Sequence, residues 1–92
     1  MPKKVDANQV EIVRALRAVG ATVLHLHMVG HGCPDLLVGF RGVNYLGEAK
    51  DGNKPPSKRK LTELEIVFHE NWKGQKAIWE NPEDALRTIG AI

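Results

Sequence analysis

The sequence predicts an α/β fold, a single domain over residues 1–92 with an αβββαβ core, a C-terminal helix and a mixed four-stranded sheet. Two observations carry this. Segments with apolar residues at helical spacing alternate with short apolar runs rich in β-branched residues. Capping and turn residues stand at the borders between them.

Taken in order, Asp6 is placed to cap a first helix, with Gln9 at the capping-box position. Ile12, Leu16 and Val19 follow at helical spacing, flanked by Val10 and Val13, and Gly20 stops the helix. Residues 22–28 read as a strand. Gly30-His31-Gly32 is a loop. Residues 34–40 form a second strand, apolar enough for burial on both faces. A turn at Arg41-Gly42 leads into a third strand over 43–50. Residues 51–60 are loop. Thr62-x-x-Glu65 is a capping box, with Leu61 and Ile66 as the staple around it. That helix carries Leu64, Val67, Phe68 and Trp72 before Gly74. Residues 75–79 are the fourth strand. Asn81-Pro82-Glu83-Asp84 starts a last helix with a cap, a first-turn proline and acids at the positive end of the dipole. Ala85, Leu86 and Ile89 give it a buried face.

Ninety-two residues suffice for one domain with a modest core. No apolar run reaches about 18 residues, so no membrane partner is expected. The start, Met1-Pro2-Lys3-Lys4-Val5-Asp6, leads into a polar helix and not into an apolar signal region. Cys33 is the sole cysteine, which excludes an intrachain disulfide and fits a cytoplasmic location. The net charge of +2 would not by itself suggest nucleic acid. The distribution says more. Lys50, Lys54, Lys58, Arg59 and Lys60 crowd a short stretch with Gly52, Pro55, Pro56 and Ser57. This reads as a mobile basic loop able to meet DNA phosphates. The plainer reading is a solubilising lysine cluster.

The chemistry concentrates in the hairpin. Asp35 opens its first strand and Glu48-x-Lys50 closes its second, so the three meet at one end of a sheet. Side chains two apart on a strand share a face, which puts Lys50 beside Glu48. Mg²⁺ takes hard oxygen ligands and keeps several waters, so Asp35, Glu48 and the backbone carbonyl of Ala49 could hold it, or Mn²⁺ in its place. The ion would polarise a phosphodiester and acidify a bound water. Lys50 would position that water or neutralise the charge that develops. Alone, a Pro-Asp strand start or a Glu-x-Lys pair is weak, the latter being more often a surface ion pair. Together they sit at facing ends of one hairpin among apolar residues, where stray charge is costly.

The runs Gly30-His31-Gly32-Cys33-Pro34-Asp35-Leu36-Leu37-Val38 and Gly47-Glu48-Ala49-Lys50 resemble the VRR-NUC branch of the PD-(D/E)xK nucleases. So do Lys60-Leu61-Thr62-Glu63-Leu64-Glu65 and Phe68-His69. The resemblance covers most of the chain. It implies a restriction-endonuclease-like fold and a metal-dependent, structure-selective DNA endonuclease of the small stand-alone type found in phages and bacteria. Such members are similar to Holliday-junction resolvases and act as homodimers on branched or double-stranded DNA, which implies the cytoplasm of a bacterium or phage-infected host. The resemblance puts the metal aspartate on Asp35, the Glu-x-Lys motif on Glu48 and Lys50, and a first-helix glutamate on Glu11. Where the family carries a glutamine near the scissile phosphate, this chain has Glu65. Its capping box already gives Glu65 a structural role.

Other residues have plainer alternatives. Glu11 lies one turn into a helix, where glutamates usually face solvent. His25 and His27 share a strand face, but no third metal ligand is near them in sequence. His31 should lie near the reaction and contact phosphate, or serve only as a loop residue. Trp72 and Trp79, with Ile78 and Ile92, are candidates for core or dimer packing. Two rival functions remain. One is a flap, nick or duplex nuclease of the same chemistry, and the other is a non-catalytic DNA-binding module that keeps the fold.

Overall fold

The structure, a computed structural model, describes residues 7–92. The elements are α1 (Ala7–Ala18), β1 (Thr22–His25), β2 (Leu36–Phe40), β3 (Val43–Ala49), α2 (Glu63–Asn71), β4 (Lys76–Trp79) and α3 (Pro82–Thr88). A short 3₁₀ turn, Pro56–Lys58, lies between β3 and α2. The proposed cap at Asp6 lies outside the described residues. The sheet order is β1-β2-β3-β4. β1, β2 and β3 run antiparallel, and β4 joins β3 in parallel after the α2 crossover. This is the mixed sheet and αβββαβ order expected from the sequence, closed by a C-terminal helix.

The strands are shorter than their apolar runs. β1 stops at His25 because residues 26–29 turn, with the Val29 amide donating to the Leu26 carbonyl. β2 begins at Leu36, two residues after Pro34, which has no N–H to give a ladder. Nor is β2 buried on both faces. Leu36 and Val38 are buried, while Leu37 between them is only half-buried.

One face of the sheet forms the core. Ile12, Val13 and Leu16 of α1 and Ala85 and Ile89 of α3 pack there with Val23, Leu36, Val38, Ala49 and Trp79. Trp79 is fully buried, and its indole N–H donates to Thr88 Oγ at 3.0 Å. The ring lies directly over Gly47, where a Cβ would stand 1.9 Å from it. Trp79 therefore belongs to the core and not to a dimer surface.

The opposite face carries Leu37, Leu46, Glu48 and Ile78, and α2 stands over part of it. Trp72, at the C-cap of α2, lines a depression with Leu37 and Leu46 and stacks on Phe68 at 5.3 Å. The one buried residue of α2 is Glu65. Leu64, Ile66, Val67 and Trp72 are exposed, so the expected staple does not enclose Ile66. The first turn of α2 docks on the glycine loop. Gly32 has φ +77, and a Cβ there would stand 2.3 Å from the Leu64 carbonyl oxygen.

Candidate active site

The site follows from strand register. β2 and β3 pair Leu36 with Gly47, and the same register carried one step further sets Asp35 opposite Glu48. The Asp35 carbonyl is already committed to β1, accepting from the Leu26 amide at 2.7 Å. By that register Asp35 and Glu48 fall at a non-hydrogen-bonded position, the kind whose side chains lie closer together on one face. Both are buried, at 4% and 1% exposure. The Ala49 amide donates to Asp35 Oδ2 at 2.8 Å, which fixes that carboxylate. The N–H and C=O of a strand residue leave by the same edge, so the Ala49 carbonyl faces the Asp35 side.

Lys50 completes the group. Its amide donates to the Trp79 carbonyl at 2.9 Å, and its carbonyl accepts from Asn8 Nδ2 at 2.6 Å. Its Nζ donates to Glu65 Oε1 at 3.0 Å, the Glu65 side chain being 2% exposed. The same oxygen accepts from the Thr62 amide at 2.8 Å, and the Glu65 amide donates to Thr62 Oγ at 3.2 Å. The capping box and the lysine pin are therefore one arrangement. A charged side chain, not an apolar stripe, ties α2 to the sheet.

These groups share a pocket of ≈ 320 Å³. Four carboxylates line it, Asp35, Glu48, Asp51 and Glu65, with three ammonium groups, Lys50, Lys54 and Lys58. The adjacent carboxyl groups of Asp35 and Glu48 favour a cation between them and an incoming phosphate. Among the described residues no group of three His, Cys, Asp or Glu side chains is arranged to hold a metal. Two carboxylates and a carbonyl match a hydrated Mg²⁺ better than a closed zinc site.

The other expected residues fare differently. Glu11 is exposed and outside the pocket lining. Gln9 is in the pocket instead, 4% exposed, on the buried stripe with Ile12, Val13 and Leu16. Two residues turn a helix by about 200°, which sends Glu11 to the far side. The signal for Gln9 was present as a polar residue on an apolar stripe. His31 is exposed at φ 55, and neither it nor Lys60 lines the pocket. Arg59 is spent on structure. It pairs with Glu80 at 2.7 Å, and its Nε donates to the Lys54 carbonyl at 3.0 Å. The basic loop is thereby a built turn, further held by the Gly52 amide on the Glu80 carbonyl.

The site is thus a pair of buried carboxyl side chains and a lysine at one strand end of a mixed sheet flanked by helices. No family model and no curated protein matches the chain. A solved structure described as a VRR_NUC domain is similar to it, with a TM-score of 0.66 and 25% identity over 89% of each chain. This likeness supports assigning the chain to the VRR-NUC family, and with it to the nuclease domains of the PD-(D/E)xK type. Domains of this fold family generally use divalent metals. Among the described residues no helix is long and apolar enough to cross a membrane.

Proposed function

We propose that the chain is a divalent-metal-dependent endonuclease that hydrolyses phosphodiester bonds in branched DNA, acting as a Holliday-junction resolvase. The carrying observation is the buried Asp35–Glu48 pair beside Lys50. Asp35, Glu48 and the Ala49 carbonyl would hold Mg²⁺ or Mn²⁺, which supplies Lewis acidity and an activated water when bound. The Ala49 amide orients Asp35. Lys50 faces the phosphate and stabilises the charge that develops on it. Glu65 holds the Lys50 ammonium in place, a positioning role that a glutamine could fill with its amide oxygen. Lys54 and Lys58 meet neighbouring phosphates.

A homodimer fits this reading. A four-way junction is two-fold symmetric, so resolving it takes two matched sites, and one chain offers one. The exposed apolar side chains Leu64, Val67, Trp72 and Ile78 supply surface that a second copy would cover.

The test offers purified protein a four-way junction, a flap and a duplex, with and without Mg²⁺. Paired symmetric nicks in the junction, dependent on metal, are expected, together with a light-scattering mass of twice the monomer. Preference for the flap or duplex would move the assignment to a nuclease of the same chemistry. DNA binding without cleavage in any metal would make the chain a non-catalytic module.

A further inference from the structure

The groove between α1 and β1 is chemically unlike the carboxylate pocket. It encloses ≈ 400 Å³, and the described residues that line it are Val10, Val13, Arg14, Arg17 and His25, with no acid among them. The four helix residues fall at i, i+3, i+4 and i+7, so they form one stripe of α1. Among the described residues neither guanidinium has an ion-pair partner, in contrast to Lys50, Arg59 and Arg87. Arg17 Nη2 reaches the Val23 carbonyl at 3.4 Å, which leans it along β1, the sheet's edge strand.

The groove adjoins the pocket. Gln9 lines the pocket and His25 lines the groove, and Gln9 Nε2 lies 3.3 Å from His25 Nδ1. With the amide donating, His25 Nδ1 accepts, and Nε2 is left as the donor nitrogen. Gln9 and His25 thus link the carboxylate pocket to the groove that Arg14 and Arg17 line.

We propose that this groove binds the phosphate backbone of the DNA strand flanking the scissile phosphate, with Arg14 and Arg17 as its cationic contacts. The inference rests on the nuclease reading for its substrate. Charge selects the occupant. A polyanion would pair with guanidiniums that have no ion-pair partner among the described residues and that would repel a basic partner, and the Val10–Val13 floor suits the apolar side of deoxyribose. Arginine offers a bidentate fork to phosphate that lysine lacks.

The experiment measures binding of a fluorescently labelled duplex and four-way junction by anisotropy in EDTA, over a range of salt, for proteins with matched thermal unfolding. Each lost phosphate contact removes about 0.9 from the slope of log K against log salt. Arg14→Ala should flatten the slope by about 1 and the Arg14→Ala/Arg17→Ala pair by about 2. Arg14→Lys/Arg17→Lys should restore most of it. Equal slopes for wild type and the double alanine variant would overturn the proposal, and would leave an acidic protein partner as the occupant to seek. A wild type that fails to cleave any DNA with metal, yet shows these slope changes, would sink the nuclease reading and still support the groove as a nucleic-acid contact.

Discussion

The two faces of the sheet are made from the same strands yet follow different rules. The core face packs Leu36, Val38, Ala49 and Trp79 against α1 and α3, and apart from the Trp79–Thr88 hydrogen bond the packing described there is apolar. The other face carries Asp35, Glu48 and Lys50, and its helix is anchored by Glu65. On the first face, burial of area stabilises the fold. On the second, buried charge is held by specific hydrogen bonds, at a cost in stability that apolar residues would not incur. Residues with no stabilising reason to be buried are the ones that mark function.

The comparison breaks most sharply at Trp79. Trp79→Ala should cost about 3–5 kcal/mol, seen as a large fall in denaturant midpoint, because the ring fills the space over Gly47 and leaves a cavity. A loss below about 1 kcal/mol would mean that the core face is not the stabilising one.

Glu65 tests the join between the faces. Glu65→Ala removes both a capping contact and the Lys50 pair, so it should lower stability by more than Thr62→Ala does, and should also lower kcat by releasing Lys50. Thr62→Ala removes a similar capping contribution without touching Lys50, so it should lower stability and spare kcat. Glu65→Gln keeps an acceptor for both donors and should retain most activity. If Glu65→Ala and Thr62→Ala have the same kcat, Glu65 is a cap and nothing more.

The smallest effect is expected on the surface. The Arg59–Glu80 pair is about one-third exposed, so a double-mutant cycle should give about 0.2–1 kcal/mol. A null coupling would mean that the basic loop is held by its backbone turns alone.

The element order was legible because local signals agree with the tertiary outcome. The capping box at Thr62 and the cap at Asn81 form as their residues dictate. Asp35, Glu48 and Lys50 were legible because hairpin register alone brings them together. What escaped depends on contacts distant in sequence. Gln9 could pass for a capping-box member until α1 is laid against β3. Arg59 looks like a DNA contact until Glu80, far along the chain, is seen to face it. The α2 apolar residues suggest a core helix, yet Glu65 is its one buried residue and Leu64, Ile66 and Val67 stay exposed.

The buried carboxylate pair is proposed as a metal site for phosphodiester cleavage. The direct measurement is Mg²⁺-dependent nicking of a four-way junction by wild type, Asp35→Asn and Glu48→Gln proteins, with folding checked by circular dichroism. Wild type is expected to cleave, and to stop in EDTA. Either variant is expected to lose about 10² or more in rate, with DNA binding retained. Wild-type cleavage rates in either folded variant would contradict the proposal.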